Sequence, residues 1–564
     1  MHGSAGTGKS VVLQTIIKLG ETLGKKIVKT SFNHINAVAL RGKTSASLWS
    51  LNSDIHSEKL EALSKTAYHK IYNEMQGCDL IIVDEISTYA PYVLARMSSA
   101  TSQVLNSTKS FGGIPVLFSG DLNQMAPVKA CTLTSALMMI AAVRKKDKKP
   151  SRQYKKIKLN PNTENNPFRN IGITEGNTVN LAENKFAKNH PYTIGAEILG
   201  SVFWKELVKS ERTLDPIHHN IINNIYQEGI LRKKEIFTTY KHLDDDDFRD
   251  PNSPWYTASI IVSTNRERFT LTHTCAIRYA KARGKIVYRW LSRYSKWVGA
   301  PTDPSSEVYE DPCFYEYFVE GADGFITGQI CPELNLVNAI PVTYSSFILE
   351  NKFDEEFLKT SVENACAGDV ITLPHPPAFI NVQIHAYGKD RALFTDFHRE
   401  YFALKSVVNE SIVLPIRKGS KKIVGNALVH GGSNFSPSKI DIQPYFPLEL
   451  AFAITVNKAQ GRTIDYEIVA LSYRPVDIAN MRMKEIYVAL SRVRNKENIR
   501  LLLTGGNDSA KFMTLQYLDN LSKDSTVTAF FSGFGLQGET SWKETKWSED
   551  KAYATYKKQQ QQKS

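Results

Sequence analysis

The stretch that most restricts what this chain can fold into is residues 3–10, GSAGTGKS, in the pattern G-x-x-x-x-G-K-S. That spacing lets backbone N–H groups turn inward around phosphate oxygens, and it needs a strand behind it and a helix ahead. The helix is legible: SVVLQTIIKL (10–19) has apolar residues at helical spacing, and Gly20 is a stop. The strand is not, because only Met1 and His2 precede the loop. Gly3, Ser4, Ala5, Gly6, Thr7, Gly8, Lys9 and Ser10 form the expected nucleotide cradle. In it Lys9 reaches the β- and γ-phosphates and Ser10 holds Mg²⁺.

Three short apolar runs follow the same logic: KKIVKTSF (25–32), CDLIIVDEIS (78–87) and GGIPVLFSGD (112–121). Such runs, separated by helical stretches, indicate a parallel α/β sheet with its chemistry at the carboxyl ends of the strands. Asp84 and Glu85 end one run. Asp84 suits Mg²⁺, and Glu85 suits polarising an attacking water. Gln124, in LFSGDLNQMAPV, is a polar group able to sense a γ-phosphate or a water. Asp121 and Gln124 equally suit an ordinary turn. The loop and the paired acids together point to a nucleoside triphosphatase.

The 564 residues suggest three or four domains. With 70 Lys+Arg against 57 Asp+Glu the net charge is +13, which favours polyanions or a merely basic surface. No run is apolar enough to span a membrane. The six cysteines are scattered without metal-ligand spacing, as reduced intracellular thiols would be. We expect a first α/β domain over 1–135 with a short insert near 47–76, and a basic linker over 136–195. A second α/β domain is expected in two parts, 196–284 and 446–510, flanking a β-rich insertion over 285–445. Residues 511–564 read as an extension whose polar end, KKQQQQKS, is disordered.

Further along, FAITVNKAQGRTID (452–465) and EIYVALSRVR (485–494) complete an ordered series. With GSAGTGKS, TSFNHINAVALRGKTSAS (30–47), LIIVDEIS, FGGIPVLFSGDLNQMAPV and LVKSERTLDPIHHNIINNIYQEG (207–229), the chain resembles the Pif/RecD-like branch of superfamily 1B DNA helicases, Helitron-like helicases included. The resemblance extends over most of the chain, and the last two motifs are its most specific. It implies two RecA-like P-loop domains with an SH3-like β module inserted in the second.

By the same resemblance Arg492 and Arg212 would be delivered against the γ-phosphate from the second domain. Gln460 and Gly461 would touch the nucleotide, and Lys458 would link it to DNA. Thr30, Asn33, Thr44 and Thr455 would contact the DNA backbone, and Asn265 would start the strand feeding the insertion. Trp49 suits either base stacking or the core. The family's motifs differ at Asn33-His34, Ala46, Met125-Ala126 and Asn457, mostly on the DNA side. The family also carries a strand and a base-reading Gln upstream of the loop. The expectation here is therefore a nucleotide site truncated of its central strand, leaving a gap in the sheet.

The implied function is an ATP- and Mg²⁺-dependent helicase moving 5′ to 3′ on single-stranded and forked DNA. It would serve repair, recombination or transposon replication, in the nucleus or alternatively the mitochondrion, with no membrane partner. The competing readings are a non-catalytic nucleic-acid-binding remnant of a transposon helicase and an RNA-directed translocase. A P-loop GTPase is disfavoured because no N-K-x-D is present.

Overall fold

A computed structural model describes residues 1–51, 60, 62–127, 130–147, 187–291, 312–331, 336–385, 407–408, 411–424, 439–474, 480–534 and 546–563. Most of the basic linker, part of the insert near 47–76 and the stretch 535–545 lie outside the described residues. The chain divides into two compact units. The first comprises Met1–Leu231, Met483–Ser491 and Asn520–Ser564; the second comprises Arg232–Arg482 and Arg492–Asp519.

The first unit is built on parallel strands. β1 (His2–Gly3), β2 (Ile27–Ser31), β3 (Lys43–Thr44), β4 (Leu80–Asp84), β5 (Val116–Phe118) and β6 (Glu206–Leu207) alternate with helices. Hydrogen bonding gives the order β3-β2-β4-β5, and β1 pairs in parallel with β6. A bridge between His2 and Gly120 joins these two parts. The Met1 amino nitrogen donates to the Phe118 carbonyl (2.7 Å), and His2 N–H donates to Lys205 O (2.8 Å). The gap expected in the sheet is therefore bridged by two residues. Backbone groups at this depth must be paired, and these bonds pair them.

β4 is the strand between β2 and β5, and Ile81, Ile82 and Val83 are wholly buried. A parallel strand covered on both faces reads as an unbroken apolar run, as LIIV does. Helix α1 (Lys9–Thr22) lays Leu13 and Ile17 against Ile82. Helices α2 (His34–Ala39), α3 (Ser45–Leu48), α4 (Lys65–Met75), α5 (Pro91–Val104) and α6 (Leu133–Asp147) follow. α6 is formed by the apolar start of the expected linker. Residues 196–231 were expected in the second domain but lie in the first unit. The helix Pro191–Gly200 packs on α5 and carries β6 to β1.

The polar C-terminal end also departs from expectation. Glu549–Lys563 is a helix packed against α6 and the helix Ser525–Ser532. Ala552 is buried in the core of the unit and Tyr556 packs against that core, while the ion pairs Arg144–Glu549 (2.9 Å) and Lys145–Asp550 (2.8 Å) lie at the start of the helix.

The second unit has its own parallel sheet, ordered 453–455, 259–262, 467–470, 499–502, 241–242. Asn265 does not start a strand. It begins the helix Asn265–Arg283, because Thr264 and Glu267 form a capping box there. Between 262 and 453 lies a mostly β module whose six-stranded sheet is antiparallel throughout. Its core gathers Trp290, Phe318, Tyr344, Val382 and Phe446.

Candidate nucleotide site and its surroundings

Between β1 and α1 the loop turns through Gly6 at φ +83°. A Cβ on Gly6 would stand 2.5 Å from Arg212 Cβ, so both the turn and the neighbour require glycine. Lys9 Nζ donates to Gly3 O (2.7 Å) and Ser4 O (2.9 Å), spanning the loop's mouth. Burial pushes the Lys9 ammonium down, and the carboxylates of Asp121, Glu85 and Asp84 oppose that shift. Ser10 is exposed in the first turn of α1.

At the end of β4, burial raises the Asp84 carboxyl above its ordinary value, with Lys9 pulling the other way. Glu85 takes the left-handed region at φ +57°. That conformation is uncommon for a side-chain-bearing residue and gathers at functional sites. Ser119 N–H and Ile86 N–H tie the ends of β4 and β5 together, donating to Val83 O (2.8 Å) and Ser119 O (2.9 Å).

Asp121 and Gln124 follow β5, and both are buried. Gln124 Nε2 donates to Asp121 Oδ2 (3.3 Å), and the Tyr487 hydroxyl donates to the same oxygen (2.7 Å). Asn123 N–H donates to Oδ1 (2.9 Å). Burial alone would raise the Asp121 carboxyl. Its bond with His2, the Lys9 charge and the Tyr487 hydroxyl bring it down to about 2. Gln124 Oε1 is buried with no hydrogen-bond partner among the described residues. A buried amide oxygen left open calls for a donor.

Arg212 stands beside the loop, but in the first unit. Glu211 N–H and Arg212 N–H donate to Gly6 O (2.8 and 3.2 Å), and Arg212 Nη1 donates to Ser491 O (2.8 Å). The expectation that Arg212 arrives from the second domain is thus corrected: β6 leads it directly to the loop. Arg492 belongs to the second unit and is buried there, its Nη1 donating to Arg462 O (3.4 Å). In the same unit Gln460 is buried, and Gly461 follows it at φ +79°.

The expected DNA-contacting residues divide. Thr30 is wholly buried, donates to Lys43 O (2.8 Å) and bonds the Ser45 hydroxyl (2.9 Å). Thr44 is buried and accepts from Ser47 N–H (3.2 Å), capping α3. Both hydroxyls serve the fold, which corrects their reading as backbone donors to a strand. Lys458 pairs with Glu449 and lies over the Phe325 ring, so its charge is already engaged. Asn33, preceding α2, and Thr455, ahead of Val456–Ala459, are partly exposed and make no capping bond with their side chains. Trp49 is a core residue, its Nε1–H donating to Thr101 Oγ1 (2.9 Å).

Sequence reasoning missed His2, Tyr226 and Tyr487. His2 Nε2 lies 3.2 Å from Leu122 N and 3.5 Å from Asp121 Oδ1, and His2 Nδ1 meets the Tyr226 hydroxyl (3.0 Å), which donates to Glu206 (3.2 Å). No local signal marked them: His2 stands in a two-residue strand, and Tyr226 and Tyr487 lie in helical segments brought to it only by the fold.

Residues 1–169 match the family model described as PIF1-like helicase. The ATP-dependent DNA helicase RRM3 of Saccharomyces cerevisiae is 33% identical over 130 residues, 22% of this chain and 18% of that protein. The ATP-dependent DNA helicase PIF1 of Danio rerio is 31% identical over 127 residues, 22% of this chain and 19% of its own length. The alignments thus span about a fifth of these curated relatives. A crystal structure of Bacteroides Pif1 bound to ssDNA covers 90% of this chain and 89% of its own at 17% identity, with a TM-score of 0.51. At that identity the likeness shows the fold, two RecA-like α/β domains.

Proposed function

We propose that this chain, whose residues 1–169 match the PIF1-like helicase model, is an ATP-dependent DNA helicase that couples hydrolysis to 5′-to-3′ movement on single-stranded DNA and to unwinding. The observation that carries the reading is local. Lys9, the adjacent Asp84 and Glu85, Gln124 and Arg212 come from four separated stretches of sequence. All sit in one unit, at the loop and at the carboxyl ends of adjacent parallel strands.

The residues present fit a magnesium nucleotide. Lys9 bridges the loop's own carbonyls, where phosphate oxygens would compete for it. Asp84 is a buried carboxylate near that lysine, and Ser10 opens α1. Ser10 and Asp84 would hold Mg²⁺, which would supply charge neutralisation on the phosphates. Glu85 would take the proton of the attacking water, and the open oxygen of Gln124 would orient that water. Arg212 and Arg492 are proposed to stabilise charge on the transferred phosphoryl group. Single-stranded and forked DNA are the proposed substrates, in a DNA-containing compartment such as the nucleus or mitochondrion. Asn33 and Thr455 remain proposed backbone contacts.

The test is ATP hydrolysis by wild type and Lys9→Ala, each with and without single-stranded DNA. Strand-stimulated hydrolysis that vanishes in Lys9→Ala is expected. Equal behaviour of the two proteins would favour a non-catalytic nucleic-acid-binding remnant.

A further inference from the structure

We propose that Tyr487 is a positioning residue for hydrolysis: its hydroxyl relays the position of the phosphate-binding loop to Gln124 through Asp121. The inference rests on the reading of residues 3–10 as an ATP site. Tyr487 lies in the helix Met483–Leu490, is 1% exposed, and belongs to the same unit as the loop. Its oxygen accepts from Ala5 N–H (2.8 Å) and its proton goes to Asp121 Oδ2 (2.7 Å). Gln124 Nε2 donates to that same Oδ2 (3.3 Å).

Four groups therefore form one line: loop backbone, phenol, carboxylate, amide. Each link is buried, so each bond is stronger than it would be in water, and losing one leaves an orphan. The far end of the line is Gln124 Oε1, the buried acceptor without a partner among the described residues. Asp121 fixes the nitrogen side of the amide and thereby aims this oxygen. Ser491, directly after the helix, holds Arg212 through its carbonyl. One short segment thus grips the loop, the glutamine and an arginine. A tyrosine that merely filled space would need none of these bonds, because a phenyl ring occupies nearly the same volume.

The experiment compares Tyr487→Phe, Gln124→Ala and the double variant in steady-state ATP hydrolysis, with thermal melts confirming folding. Tyr487→Phe should lower kcat about tenfold, the worth of one aligned buried bond. KM for ATP should stay within about twofold, because phosphate binding relies on other loop N–H groups and on Lys9. The double variant should be no slower than Gln124→Ala alone, since both act through one amide. If Tyr487→Phe fails to fold, Asp121→Asn breaks the line at its next atom and should show the same split between kcat and KM.

A wild-type kcat in Tyr487→Phe, a change confined to KM, or losses that multiply in the double variant would overturn the relay. Lys9→Ala keeps the two readings apart. If it abolishes hydrolysis while Tyr487→Phe does nothing, the ATP site stands and the relay falls. If wild type itself does not hydrolyse ATP, both fall.

Discussion

Glu85 holds a left-handed backbone, φ +57°, at the end of a buried strand. A residue kept in that conformation indicates a side chain needed in one place, and Glu85 is the proposed base. Glu85→Gln should bind ATP as wild type does in an equilibrium titration and hydrolyse it about 10²- to 10⁴-fold more slowly. Hydrolysis at the normal rate would remove Glu85 from the reaction. Asp121 makes a different prediction. Burial alone would raise its carboxyl, but His2, Lys9 and Tyr487 lower it to about 2, from an ordinary 3.8. The unfolded chain then holds this proton more tightly than the folded one. The resulting stabilisation, about 2 kcal/mol, is complete above about pH 4 and is lost as pH falls toward 2. Melts of wild type and Asp121→Asn should differ above pH 4 and converge on acidification. A gap that stays constant with pH would show that the charge of Asp121 is not what stabilises.

Among elements, the contact of the helix Pro191–Gly200 with α5 is unusually close. A Cβ on Gly195 would lie 1.7 Å from Pro91 O, so the two backbones touch. Gly195→Ala must push the helices apart, at a cost of about 1–3 kcal/mol in a urea melt. An unchanged midpoint would contradict the packing. The strands KKIVKTSF, LIIVD and IPVLF were legible because burial on both faces demands apolar runs. The helix Glu549–Lys563 was not, because polar composition reads as disorder when part of the surface it packs on, α6, is some 400 positions away. Thr30 and Thr44 were misread for a related reason. A hydroxyl at a strand end looks the same in sequence whether it faces DNA or caps the next helix.

For the molecule as a whole, motif order made the fold class legible: seven short stretches stand in one sequence, and the parallel sheets follow from them. The division of the chain was not legible. Residues 196–231, 483–491 and 520–564 join the first unit through pairings that no local pattern encodes, such as β6 with β1 and Tyr487 with Asp121. Arg212 moved with them, from the second domain of the expectation to the side of the loop in the first. The proposed nucleotide residues Lys9, Asp84, Glu85 and Gln124 could be named from the sequence because nucleotide chemistry demands particular residue types in the loop and after strand ends. The proposed strand contacts were less readable because phosphate contacts tolerate many residue types. The central claim is that ATP hydrolysis at the first unit is driven by a nucleic-acid strand. It is tested most directly by the initial rate of ATP hydrolysis with single-stranded DNA, with RNA of the same sequence and with neither, from about 50 to about 200 mM salt. The account predicts strong stimulation by DNA, weaker stimulation by RNA, and a steep fall as salt rises. A rate indifferent to the strand, or stimulation that salt does not weaken, would contradict it.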